Sequence, residues 1–216
     1  SSGSEMSVLA RLESNNANSD YLFFNNSKIK IRSEFKCGAE GLEIPNKILE
    51  MQNSLSGNFR DIATSQLLRA SVALESDFET YNNFGGTQNA ARYILRLFAP
   101  VSATYVRDMN VHLQSTYLRI WETPADPYTG TTSLELLNEF RNYWTANMTA
   151  VPRTIAHYIT TRPGGLGGIA WINVLCASLN GGYGYAFSDI DGTFGNLPAY
   201  SWDVMVVSHE TGHNFG

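Results

Sequence analysis

Two histidines near the end of the chain, His209 and His213, are four residues apart, and Glu210 directly follows the first of them. On an α-helix this spacing separates two side chains by about 40° around the axis and about 6 Å along it. Their imidazole rings can therefore converge on one metal ion. Imidazole nitrogen is a common zinc ligand, and a catalytic zinc site has three protein ligands and one open position. The spacing therefore predicts a zinc site.

The glutamate in this motif has the position of a general base. Beside the first histidine, Glu210 can accept a proton from a water molecule that attacks a carbonyl carbon, and can return the proton to the leaving amine. The alternative is a buried amphipathic helix whose histidines have this spacing by chance. Two glycines argue against it. Gly212 costs about 1 kcal/mol relative to alanine inside a helix, which indicates close packing, and Gly216 allows the chain to leave the helix sharply.

The elements that must position this motif follow from the apolar pattern. The motif itself lies on a predicted helix that begins around residues 201–203 and runs to the end of the chain. A capping box at Thr132–Glu135 starts the clearest of the other helices. A further helix is predicted over residues 87–108, with a kink or a break at Pro100. Strands are predicted at residues 67–77, 111–121, 153–160 and 167–175, and loops at 81–86 and 124–131.

This alternation of strands and helices predicts an α/β fold. We expect a twisted, mostly parallel sheet with one antiparallel edge strand, flanked by helices, the last of which carries the two histidines. The antiparallel member follows the short Pro163-Gly164-Gly165 connection. Residues 1–64 are predicted to be separate from this unit, with a small strand pair at 21–24 and 28–35.

Composition and charge exclude several classes of partner. The 216 residues are 43% hydrophobic and 16% charged, which is typical of a globular protein with a sizeable core. The formal net charge is -5 and there is no cluster of Lys and Arg, so neither nucleic acid nor an anionic membrane surface is an expected partner. No apolar run reaches the roughly 18 residues of a membrane span.

The last eight residues, His209–Gly216, resemble the start of the extended metzincin motif, H-E-x-x-H-x-x-G-x-x-H, and their ending is typical of the reprolysin, or adamalysin-like, branch. The stretch Gly168–Trp171, followed by Cys176, is similar to that branch as well. The resemblance covers about residues 66–216. It implies a secreted or cell-surface zinc endopeptidase that cleaves protein or peptide substrates. Residues 65–216 would be the N-terminal (upper) subdomain of its catalytic domain, and residues 1–64 the tail of a pro-segment.

The resemblance also assigns roles to individual residues. His209 and His213 would be metal ligands and Glu210 the general base. The third histidine ligand would come three residues after Gly216, so we expect this chain to be truncated before it and to be inactive or nearly so. The edge strand would bind an extended peptide through main-chain hydrogen bonds; the alternative is an ordinary strand of the sheet. Its residues are Gly167, Gly168, Ile169, Ala170 and Trp171.

A cysteine in the first segment is a candidate inhibitor of the site. The stretch Phe35–Gly38 resembles the family's cysteine switch, in which the thiolate of Cys37 would occupy the open position of the zinc. Two alternatives remain open. Cys37 could form a disulfide with Cys176, or it could be a buried thiol. Cys176 is expected to bridge instead to a cysteine beyond the end of this sequence.

Other residues that could do chemistry are interpreted as structural. The two remaining histidines have no partner at ligand spacing, so we expect them to be structural. The acidic residues near the turns lack the later ligands of a calcium loop, so we expect them to be solvated turn residues. The histidines are His112 and His157, and the acidic residues are Asp77, Glu79, Asp189 and Asp191.

Two rival functions use the same residues. The first is a noncatalytic, zinc-stabilised or peptide-binding module that uses the same edge strand. Glu210 favours the enzyme, because a structural zinc site has no need of it. The second is zinc-dependent hydrolysis of a non-peptide amide, which the helix motif does not exclude.

Overall fold

The structure, a computed structural model, describes residues 7–12, 20–25, 37–39, 42, 46, 50, 66–175, 182–194 and 201–216. Strands and helices alternate along most of this range. In chain order they are β1 (Ser7–Leu12), β2 (Asp20–Asn25), β3 (Leu68–Ser76), α1 (Phe78–Phe84), α2 (Thr87–Met109), β4 (Val111–Ile120), α3 (Ser133–Asn147), β5 (Ile155–Thr160), β6 (Gly168–Ala170), β7 (Tyr185–Asp189) and α4 (Trp202–Phe215).

The first two strands form a small antiparallel sheet of their own, in which Ser7 is opposite Asn25. The strand predicted at 21–24 is therefore present as β2. Its partner is β1, which the polar composition of the first residues did not indicate. Residues 28–35, predicted as the partner, lie outside the described residues.

The main sheet has five strands in the order β4-β3-β5-β7-β6. All neighbouring pairs are parallel except β6 and β7, which are antiparallel. This confirms the predicted α/β fold with a mostly parallel sheet. The antiparallel strand follows the Pro-Gly-Gly connection as expected, where Gly164, Gly165 and Gly167 adopt positive φ angles. However, β6 pairs with β7 and not with β5.

The sheet separates two hydrophobic cores, because alternate residues of each strand point to opposite faces. On β3, Val72 and Leu74 belong to one core and Ala73 to the other. The first core contains the buried faces of α2 and α4, and the second contains that of α3. The helix that carries the motif therefore packs on the opposite side of the sheet from α3.

The segment predicted as a loop at residues 81–86 is mostly helical, and that prediction was wrong. Helix α1 begins after Asp77, whose side chain accepts a hydrogen bond from the backbone N–H of Thr80. It ends at Gly85, which has a φ of +71°. The Asn-Asn and Gly-Gly pairs were interpreted as loop signals, but a cap at one end and a left-handed glycine at the other are enough for two helical turns.

Pro100 does not break α2, which runs from Thr87 to Met109. A proline inside a helix removes one backbone hydrogen bond. The apolar face of α2 nevertheless stays buried on both sides of Pro100, at Leu97 and Val101 for example. Burial of this face outweighs the local cost. Neither α2 nor any other helix in the described part of the chain is long and apolar enough to cross a membrane.

Candidate metal centre

Helix α4 is anchored at its start by polar contacts. The hydroxyl of Ser201 caps it by accepting from the backbone N–H of Val204. Asp203 in its first turn is buried, and its carboxylate accepts hydrogen bonds from the hydroxyl of Tyr93 and the backbone N–H of Asp191. Burial raises the pKa of Asp203 to about 6. These contacts fix the rotation of α4 about its axis, and so fix which residues face the sheet.

The two histidines of α4 lie beside its buried face. His209 is exposed and His213 is half-buried. Their ring centroids are 4.5 Å apart and the rings are nearly perpendicular, at 89°. Burial lowers the pKa of both, and the positive charge of His213 lowers that of His209 further. Both imidazoles therefore favour the neutral form, which is the form that binds a metal ion.

Glu210 is fully buried between α4 and β6. Neither of its carboxylate oxygens has a hydrogen-bond partner among the described residues. Burial raises the pKa of this carboxyl group to about 8. A buried carboxyl group with unused acceptors is costly to the fold, and no hydrogen bond among the described residues offsets that cost.

The thiol of Cys37 completes a cluster with these three residues. Its Sγ lies 3.1 Å from Nε2 of His213. One ligand atom from each of Cys37, His209, Glu210 and His213 lies within 4.8 Å of every other, so the group could hold a metal ion. The alternative of a disulfide between Cys37 and Cys176 stays a prediction. Cys176 itself lies outside the described residues.

The chain around Cys37 pairs with the edge strand of the sheet. Cys37 and Gly168 form an isolated parallel bridge, and the backbone N–H of Gly38 donates to the carbonyl of Gly168 at 2.9 Å. Ala39, the next residue, is buried. This backbone pairing with β6 thus places the thiol of Cys37 beside the two histidines.

The residues predicted to bind a substrate, 167–171, lie next to the histidines, but only three of them are a strand. Gly167 precedes β6 with a φ of +70°, and its carbonyl accepts from the backbone N–H of Asp189. Ile169 and Ala170 are buried within β6. Trp171 follows the strand and packs against Tyr183, with ring centroids 4.9 Å apart. The predicted strand to residue 175 is shorter because the chain turns at 172–175 to reach the end of α4.

This turn holds the end of α4, a contact that was not predicted. The backbone N–H of Asn173 donates to the carbonyl of His213 at 2.7 Å, and that of Val174 donates to the carbonyl of Asn214 at 2.9 Å. The buried side chain of Asn214 donates to the carbonyls of Trp171 and Tyr185. Asn214 therefore joins α4 to β6 and β7. The signal for this contact in the sequence was Asn214 itself, a polar side chain near the end of a helix that must be buried.

His157 lies in β5 beneath α4, and the structure supports a structural role for it. It is fully buried, its Nδ1 is 3.1 Å from the hydroxyl of Thr211 and its Nε2 is 2.8 Å from that of Ser188. Burial lowers its pKa to about 3, so it is neutral near pH 7. His112 lies on β4, the opposite edge of the sheet from β6.

Two of the acidic residues predicted to be solvated are buried instead. Asp77 holds the start of α1 and forms an ion pair with Arg162 at 2.9 Å. Asp189 is on β7 and accepts from the backbone N–H of Leu166, and burial raises its pKa to about 7. Both side chains therefore make structural contacts within the fold. Asp191 is exposed, as expected for a turn residue.

Comparisons with known proteins bear on the fold and the family of this chain. A solved structure titled "Structure of a chaperone-substrate complex" is similar in fold, with a TM-score of 0.51 and 21% sequence identity, over 71% of this chain and 24% of that chain. No curated protein matches the chain. Residues 68–216, which include every strand of the main sheet and the motif of α4, match the sequence model of metallo-peptidase family M12. The chain therefore belongs to metallo-peptidase family M12.

Proposed function

We propose that this chain is part of a zinc-dependent endopeptidase of the reprolysin-like branch of the metzincins. His209 and His213 bind the metal and Glu210 is the general base. The observation that carries the proposal is the position of Glu210. Its carboxylate is buried without a hydrogen-bond partner among the described residues, beside two histidines and against an edge strand. In this proposal residues 65–216 are the upper subdomain of the catalytic domain, and residues 1–64 are the tail of a pro-segment.

The donor set fits zinc. Two neutral imidazoles and a thiol lie close enough to share one ion. Zinc prefers nitrogen and sulfur donors and usually has four ligands. When bound, zinc would polarise a carbonyl oxygen and make a water molecule more acidic. A further histidine three residues beyond Gly216 would complete the ligand set in the parent protein.

Glu210 moves the proton. Burial raises the pKa of its carboxyl group to about 8 when no metal is bound, and a divalent cation beside it would favour the ionised form that can accept a proton. Its two oxygens have no other hydrogen bonds to break among the described residues. The carboxylate would accept a proton from water as the water attacks the peptide carbonyl, and would then give that proton to the leaving amine.

The substrate is a protein or peptide that binds in extended form along β6. An extended segment of this chain already pairs there, since the N–H of Gly38 donates to the carbonyl of Gly168 at 2.9 Å. The same carbonyl can accept from a substrate backbone. This supports cleavage of a peptide bond over hydrolysis of a small amide, which would make no use of a strand edge.

Cys37 keeps the enzyme inactive until its segment is removed. The thiol lies where the substrate and the water would react, 3.1 Å from Nε2 of His213. As a thiolate it would be a strong zinc ligand and would exclude water. A built-in inhibitor is expected in an enzyme that is activated after export, and this supports a secreted or cell-surface protein.

The test compares metal content and peptide cleavage in the parent protein, with its natural sequence beyond Gly216 and with Cys37→Ala to remove the inhibitor. We expect one zinc per chain and cleavage of an unstructured protein substrate. Glu210→Ala should retain the zinc and lose at least about 100-fold in kcat, since general acid–base catalysis contributes that much or more. Glu122→Ala, at an exposed glutamate, is the matched control and should retain activity.

Two results would contradict the proposal. Cleavage that is equal in Glu210→Ala would remove Glu210 from the mechanism. Zinc binding and peptide binding without any cleavage would favour the noncatalytic binding module.

A further inference from the structure

The first residue of β6, Gly168, faces the side chain of Glu210 directly. A Cβ atom at residue 168 would lie 2.5 Å from Cγ and 2.6 Å from Cδ of Glu210, and closer still to Oε1. Nonbonded carbon atoms in proteins do not approach this closely, because their optimal separation is about 3.5 to 4.0 Å. A side chain at residue 168 and the present position of the Glu210 carboxylate therefore exclude each other.

The backbone of Gly168 gives no other reason for a glycine. Its φ is not positive, unlike that of the neighbouring Gly167, so any L-residue could adopt its conformation. Its carbonyl, which accepts from Gly38, is present in every amino acid. The absence of a side chain at Gly168 thus leaves space for the side chain of Glu210.

The elements on both sides of this space are held in place. Gly168 is paired with Ser188 of β7. Helix α4 is held to β7 and to the end of β6 by Asn214, and to β5 by the contact of Thr211 with His157. The flexible part of the contact is the Glu210 side chain. An added Cβ would therefore displace the carboxylate more easily than it would displace the strand or the helix.

We propose that Gly168 is a positioning residue for Glu210, and that its missing side chain keeps the carboxylate between β6 and the two histidines. The inference rests on the proposed role of Glu210 as the base. Gly168→Ala would move the base while leaving both histidines and the main-chain acceptor of β6 in place. Gly168 itself touches neither metal nor reacting atoms through a side chain.

The first test is a stability cycle that needs no activity. It uses thermal unfolding of the full chain and of Gly168→Ala, Glu210→Ala and the double variant. In the presence of Glu210, Gly168→Ala should lower the unfolding midpoint by about 2 to 8 °C, because it overpacks a buried site. In the Glu210→Ala background the same change should be neutral or raise the midpoint, because alanine restricts the unfolded chain more than glycine does.

Gly184→Ala is the matched control. Gly184 directly precedes the buried strand β7, and the atoms nearest to a Cβ there belong to Thr154 and Ile155 and not to Glu210. Its effect should be the same with and without Glu210. If Gly168→Ala alone does not fold, folding of the double variant supports the proposal and failure of both overturns it. An equal effect of Gly168→Ala in the two backgrounds, including no effect in either, also overturns it.

A second readout separates positioning from general structure. In the parent protein with Cys37→Ala, Gly168→Ala should lower kcat by at least about tenfold, with unchanged zinc content and a KM within about twofold of the parent value, since the peptide acceptor is retained. A loss confined to KM or to zinc content overturns the positioning role. If the stability cycle shows coupling but the parent protein cleaves nothing, the inference about space stands and the proposed protease function fails.

Discussion

Single residues in this chain reach unusual ionisation states through burial. Glu210 is buried beside two histidines, and its pKa is raised to about 8, whereas those of His209 and His213 are lowered. All three groups thus favour their uncharged forms without a metal. A divalent cation would reverse this preference for the carboxylate, because a nearby positive charge stabilises the ionised form.

His157 provides a prediction about pH at the same scale. Its folded-state pKa is lowered to about 3 from an ordinary value of 6.5. Between these values the unfolded chain binds a proton that the folded chain does not, so the contribution of His157 to stability is complete above pH 6.5 and is lost as the pH falls towards 3. Urea unfolding of the wild type and of His157→Gln, measured from pH 4 to pH 7, should show a difference in stability that shrinks as the pH falls.

Asp189 acts in the opposite direction, which is why the difference between the two proteins is the quantity to measure. Its pKa is raised to about 7 by burial, so its contribution falls as the pH rises from about 4 to 7. Asp189 is present in both proteins and cancels. A difference between wild type and His157→Gln that is constant over this pH range would show that His157 is not buried in neutral form.

At the scale of elements, the contact of residues 37–39 with β6 depends on a second glycine. A Cβ atom at Gly38 would lie 3.1 Å from both Cβ and Cδ1 of Ile169 and 3.2 Å from the carbonyl oxygen of Gly168. Gly38→Val should therefore weaken the pairing and release Cys37 from His213. We expect thiol labelling at Cys37, located by mass spectrometry, to become at least about tenfold faster, which corresponds to about 1.4 kcal/mol. An unchanged labelling rate would contradict the docking, and Gly184→Ala should leave the rate unchanged.

The elements also show where sequence reasoning succeeds and where it stops. The capping residues at 201–203 were enough to predict the start of α4, and the capping box at Thr132 was enough to predict the start of α3. Helix α1 was missed because its capping by Asp77 was not weighed against a Gly-Gly pair. The insertion of β7 between β5 and β6 is a long-range pairing, which local patterns do not encode. The contact of Gly168 with Glu210 depends on that pairing, so it needed the structure.

For the whole molecule, the metal should act as part of the fold. The thiol of Cys37 and the two histidines of α4 come together in one cluster, and residues 37–39 also pair with β6. A ligand that binds only the folded chain stabilises it in proportion to its affinity. Zinc at about 100 times its dissociation constant should raise the unfolding midpoint by about 5 to 10 °C, and a chelator should reverse the shift.

Two variants test whether this shift comes from the proposed centre. His209→Ala/His213→Ala should remove it, since no imidazole of α4 remains. His112→Ala, on the opposite edge of the sheet, should retain it. A shift that survives loss of both α4 histidines would place the zinc elsewhere.

The most direct test of the central claim is zinc X-ray absorption of the 216-residue chain, compared with its Cys37→Ala variant. We expect one zinc whose nearest neighbours include imidazole nitrogens at about 2.0 to 2.1 Å and one sulfur at about 2.3 Å. The sulfur should disappear in Cys37→Ala while the imidazoles remain. A wild-type spectrum without imidazole neighbours would contradict the metal centre on α4, and a sulfur that persists in Cys37→Ala would contradict the inhibitory role of Cys37.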